Sequence, residues 1–176
     1  MALLFIILCL IILSPVGFIW LNYEELNSCK NHSYEHLARI NKTIEAILDI
    51  SPGFISILAG QNLIPPDKNF EIKLSIEALS KLPDNFTNAQ QRYEFAKRLF
   101  EKIETEISKI KDNPKVTGSE QITRYINFFE RVRGDFHNFV EKYNVEIKKF
   151  KVYTEQFPTS YIAKKLEIYC IMEQFV

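Results

Sequence analysis

The chain has 176 residues, 47% hydrophobic and 25% charged, a balance that suits a folded protein and excludes a disordered one. Its 22 basic and 22 acidic side chains cancel, so there is no basic field to hold nucleic acid by counterion release. Only 5 glycines and no run of strand-like alternation point to long helices, and the length fits one anchor plus one domain.

Residues 1–21 carry no charged side chain, and 2–13 form an almost unbroken run of Leu, Ile, Phe, Ala and Cys. About 20 apolar residues in a helix cross a hydrocarbon core of about 30 Å. Trp20 and Tyr23 then fall where an interfacial aromatic belt belongs, and Ser14-Pro15 and Gly17 bend the helix without stopping it. A cleaved signal peptide would open on a basic stretch, which is missing. The expectation is a transmembrane anchor over 1–22 and a soluble domain over 23–176. Lys30 and Arg39 follow the segment with no basic side chain before it, which tilts the reading toward a cytoplasmic domain. Asn31-His32-Ser33, Asn41-Lys42-Thr43 and Asn85-Phe86-Thr87 match glycosylation sequons, which carry meaning only on a eukaryotic secretory route.

Beyond the anchor, Tyr34, Leu37, Ile40, Ile44, Ile47 and Leu48 recur with helical period. Ser51-Pro52 breaks or kinks this helix, which resumes over 54–58, and 62–67 reads as a loop. A short helix follows near 69–82. Thr87-Asn88-Ala89-Gln90 has the form of a capping box, and the next helix carries Tyr93, Ala96, Phe100, Ile103, Ile107 and Ile110 in alternating steps of three and four, a heptad seam. Asp112-Asn113-Pro114 closes it. Thr117-Gly118-Ser119-Glu120 is a second capping pattern, opening the longest helix. Its stripe runs Ile122, Tyr125, Phe129, Val132, Phe136, Phe139 and Tyr143, continuing to Phe150, Tyr153 and Phe157. Such a helix, about 55 Å long over 120–156, requires partners of similar length. Pro158-Thr159-Ser160 then caps a last helix reaching Met172. The fold class expected is all-α: an antiparallel bundle of three to four long helices behind one transmembrane helix. The aromatic stripe is read as core.

Candidate chemistry is sparse. His32-Ser33-Tyr34-Glu35-His36 matches the inverted zinc-protease pattern, with two histidines one turn apart and Glu35 as a base, but it needs a third ligand. Glu146 interrupts the long stripe. Ile147 is expected to take the core position while Glu146 swings to the rim, with Lys149, Lys97 or Arg98 as its partner. Lys142, Lys148, Lys149 and Lys151 lie among glutamates and read as a solvated face. Cys9, Cys29 and Cys170 have neither metal spacing nor the density of a disulfide framework, and Cys29 and Cys170 would meet only if the fold joined the two ends. Neither a catalytic constellation nor a cofactor is expected.

The run Tyr143-Asn144, Ile147, Phe157-Pro158 and Ala163 resembles the LemA family, whose pattern here is roughly Y-N-x-x-V-x-x-Y-N-x-x-I-x-x-F-P followed by an Ala. Phe150-Lys151 replaces the second Tyr-Asn, Thr154 replaces an aliphatic residue, and Val140 and Arg133 stand where the family commonly has Arg and Glu. The resemblance covers about 114–164. It implies a single-pass protein of the bacterial inner membrane with an antiparallel helical bundle, from a family with no established enzymatic activity to carry over. The anchor, the long amphipathic helices and the lack of a catalytic constellation lead to the expectation of a non-enzymatic protein-interaction or scaffold module. Its expected partners are the lipid bilayer and either another protein or a second copy. The competing expectation is a zinc-dependent membrane hydrolase built on His32, Glu35 and His36.

Overall fold

The computed structural model describes residues 2–155, 159–165 and 174–175, with side chains from residue 17 onward except those of Phe86 and Ile162. Every regular element among them is helical: α1 (Ala2–Gly60), α2 (Pro66–Ser80), α3 (Ala89–Ile110), α4 (Pro114–Thr117), α5 (Glu120–Glu155) and α6 (Thr159–Lys165), with one 3-10 turn at Phe86–Asn88. The all-α expectation holds.

Helix α1 runs on through Ser51-Pro52, where a break or kink was expected, and continues through Ser14-Pro15, as expected there. A proline inside a helix costs about 3 kcal/mol. Just beyond Pro52, Phe54, Ile55 and Leu58 are all at most 2% exposed, and each buried side chain of this kind contributes about 1.5–3 kcal/mol. Burial therefore outweighs the proline. Helix α2 begins three residues ahead of the expected start because Pro66 takes the first helical position after extended Pro65. The expected capping box at Thr87 does not form: Asn88 makes no side-chain cap, and Asn85 Oδ1 accepts the Asn88 N–H instead at 3.0 Å. Asn113 caps the extra turn α4 by accepting from Lys115 N–H. Ser119, not Thr117, caps α5, its Oγ accepting from Ile122 N–H at 3.4 Å.

The chain divides into two compact units, one holding residues up to Leu37 and from Glu141 to Gln174, the other Ala38–Val140 with Phe175. In the second unit, contacts between α3 and α5 run in opposite directions along the two helices. Tyr93 and Phe100 both meet Phe136, Phe100 also meets Phe129, and Glu104 pairs with Arg133. Rising numbers on one helix meet falling numbers on the other, so the pair is antiparallel. α1 likewise opposes α5 there, with Arg39 on the Phe139 ring and Phe54 stacked on Tyr125 at 5.5 Å. All six expected seam residues of α3 are buried. On α5 the seam is wider than expected. Ile126 and Val140 are buried, while Tyr125 and Phe139 stand half-buried at its edge, touching α1. A helix wedged between two neighbours needs a broader apolar face than a two-stranded seam.

In the first unit α1 and α5 also oppose one another, Glu25 meeting Tyr153 and Cys29 meeting Glu146, while Asn22 meets Thr159 at the start of α6. A small apolar cluster of Leu26, Cys29, Phe150 and Ala163, with Tyr153 against it, closes this part.

Candidate functional sites

Three residues of the family-like motif, Tyr143, Ile147 and Ala163, are packing residues. Tyr143 is 1% exposed, Ile147 0% and Ala163 5%, so none presents a functional group to solvent as a site would. Asn144 is half-buried, and its carbonyl accepts from Gln174 Nε2 at 3.2 Å. Phe157 and Pro158 lie outside the described residues.

Beside that core is a polar layer that no local pattern announced. Glu146 does not swing to the rim. Its side chain is 13% exposed, it pairs with Lys149 at 2.8 Å, and it lies against Cys29. Ile147 does take the core position, as expected, and Lys149 is the expected partner. Cys29 is a free, buried thiol. Burial, then the Glu146 charge and hydrogen bond, push it above the ordinary thiol range. A thiol held protonated is a poor nucleophile, which argues against a catalytic cysteine here. The Tyr153 hydroxyl donates to Glu25 Oε1 at 2.6 Å, and that bond raises the phenol further. Lys149 is raised by its bond to Glu146.

The zinc-protease pattern lies on α1 with His32 and Glu35 exposed and His36 half-buried. His137, the remaining histidine of the chain, belongs to the other unit. Among the described residues no group of three or more His, Cys, Asp or Glu side chains is placed to hold a metal ion. Among the described residues, then, the pattern has its two histidines and glutamate without a third ligand beside them. Cys170, the prospective partner of Cys29, lies outside the described residues.

The second unit has a cleft of about 140 Å³ between α2 and α3, lined by Lys68, Glu71, Ile72, Lys102, Glu106 and Lys109 among others. Glu71 takes Lys68 at 2.7 Å and Lys102 at 3.2 Å, and their hydrogen bonds hold its carboxyl below the ordinary range. Glu106, its side chain 6% exposed, pairs with Lys109 at 2.6 Å. These charges satisfy one another and dock α2 on α3. Arg92 is 5% exposed and donates through Nη1 to the Leu82 carbonyl at 2.6 Å, placing its charge just past the C-terminal end of α2. Outward, α2 leaves Phe70 70% and Leu74 56% exposed, one turn apart.

Among the described residues one helix is long and apolar enough to cross a membrane, α1 over Gly17–Gly60, near the N-terminus. Its apolar residues Ile40, Ile44, Ile47, Phe54, Ile55 and Leu58 are already buried in the second unit, so they are accounted for by protein packing. The uncharged start has no such account. Phe18, Ile19, Trp20 and Leu21 are 48–65% exposed, and four consecutive residues cover the full circumference of a helix. Trp20 and Tyr23 have ring centroids 6.3 Å apart at the end of this stretch.

No protein-family model, curated protein or solved structure matches the chain.

Proposed function

We propose that this chain is a membrane-tethered helical bundle with no catalytic role of its own, of the kind its resemblance to the LemA family implies, and that it acts by holding another protein. The observation that carries the reading is that α1 serves twice. Phe18–Leu21, in its uncharged start, expose apolar side chains all round, and its later turns form bundle core. A helix shared in this way ties the bundle to the bilayer without a linker. Resemblance to the family favours the bacterial inner membrane, and Lys30 and Arg39 after the anchor favour a cytoplasmic bundle. The exposed Phe70–Leu74 pair on α2 supports contact with an apolar-faced protein segment.

The test is affinity capture from detergent-solubilised membranes, comparing the native chain with a Phe70→Ser/Leu74→Ser variant of unchanged helical content. A partner held by the native chain and lost by the variant is the expected result. An identical set of proteins with both, or none with either, overturns the reading. Cross-linking in the membrane identifies the case in which the partner is a second copy.

A further inference from the structure

Helix α6 lies at a level that its seven residues alone would never reveal. Its first residue, Thr159, is 4% exposed and donates through Oγ1 to Asn22 Oδ1 at 3.1 Å. Asn22 directly follows the exposed Phe18–Leu21 set and sits between Trp20 and Tyr23. One turn on, Ala163 is buried with Leu26, Cys29 and Phe150. Thr159 and Ala163 therefore make one inward face, at spacing i, i+4, while Tyr161 is 61% exposed and Lys164 and Lys165 are exposed on the rest of the helix.

The position along α1 sets the surroundings of that outer face. From Asn22 to Leu26 is four residues, about 6 Å along a helix axis. A bilayer of about 40–45 Å around a core of about 30 Å has headgroup layers of about 5–7 Å on each side. With the aromatic belt at Trp20 and Tyr23, α6 occupies the headgroup layer. Tyr161 adds a third amphipathic ring at that level, with two ammonium groups beside it. The acidic neighbours are Glu25, engaged by Tyr153, and the exposed Glu24 and Glu155. With acidic and basic side chains mixed in this unit, the role assigned to the two lysines is direct contact with lipid phosphate.

Resting on the anchor reading above, we propose that α6 is a membrane-surface clamp in which Tyr161, Lys164 and Lys165 bind phospholipid headgroups and fix the depth and tilt of the anchor.

The chain has one tryptophan, Trp20, so its fluorescence reports on the anchor by itself. Full-length protein is reconstituted into phosphatidylcholine vesicles whose acyl chains are brominated near the headgroup. Quenching of Trp20 is expected for the native chain; its absence removes the anchor reading and this proposal with it. In a Trp20→Phe background, Tyr161→Trp then reports on α6, and Val145→Trp, exposed on α5 away from the belt, serves as the aqueous control. The proposal expects quenching at 161 by brominated lipid and shielding from acrylamide, with neither at 145. It also expects loss of that lipid quenching when Lys164→Gln and Lys165→Gln are added. If Trp20 is quenched but the probes at 161 and 145 respond alike to acrylamide and ignore the lipid, α6 lies in water and the clamp is refuted. Retained quenching in the double-lysine variant refutes the lysine contacts.

Discussion

The two units are built from the same kinds of helix but are held in different ways. In the second, aromatic rings from three directions stack into a dry layer. Tyr93 lies at 4.5 Å from Phe175 and 5.7 Å from Phe136, and Phe100 meets Phe129 and Phe136. In the first, Leu26, Cys29, Phe150 and Ala163 form an apolar cluster among the described residues, Leu37, Tyr143 and Ile147 are buried as well, and polar pairs lie beside them: Glu146 with Lys149, Glu25 with Tyr153, Asn22 with Thr159. Aromatic stacking stabilises through area and shape. Exposed ion pairs contribute little, about 0–1 kcal/mol each. The second unit thus draws more of its stability from stacked rings, and the first combines buried apolar residues with polar pairs whose net contribution is smaller.

The sharpest way to break this contrast is to remove a ring from the dry layer. Phe136 is fully buried, and Phe136→Ala is predicted to cost about 3–5 kcal/mol, with loss of cooperative unfolding followed by circular dichroism in detergent. A loss below 1 kcal/mol would show that the layer is not the stabilising centre. A smaller and local effect is expected from Cys29→Ser. The new hydroxyl can still donate to Glu146, so the cost is about 1 kcal/mol, with faster amide exchange around Cys29 and Phe150 and none around Phe100. Equal acceleration in both units would mean that they unfold as one.

The smallest effect concerns acid. The Glu71 carboxyl is held below its ordinary range by hydrogen bonds from Lys68 and Lys102. A depressed carboxyl stabilises the fold above the ordinary carboxylate range, and that stabilisation disappears as pH falls through the folded value. Amide exchange of α2 should therefore rise selectively on acidification, and Glu71→Gln should flatten this pH dependence. The group is 42% exposed, so the change is expected to be modest, and an α2 whose exchange follows pH identically in both forms would exclude the link.

Much of the architecture was legible in the residues alone, because helical periodicity is a local property. The seam Tyr93 to Ile110 is buried as its spacing required, and Pro114 and Ser119 mark the turn into α5. Strength against a proline is not local. Pro52 reads as a break, yet the side chains that hold the helix through it, Phe54 and Leu58, act by burial against other parts of the chain. The same limit applies to the candidate sites. His32 and His36 have the spacing of metal ligands, but a coordination sphere depends on what the rest of the fold brings near, and the described residues bring no third ligand.

By itself, the sequence determined an all-α chain, an uncharged apolar start and long amphipathic helices, since composition and period act over a few turns. Tertiary structure alone decided that Ile126 and Val140 join the core of α5, that Glu146 rests on Cys29, and that Tyr153 and Thr159 bond to residues 128 and 137 positions away in the chain. The reason is physical: a side chain's period says which face is apolar, but only the neighbour packed against that face decides which atoms are covered and which polar groups must find partners.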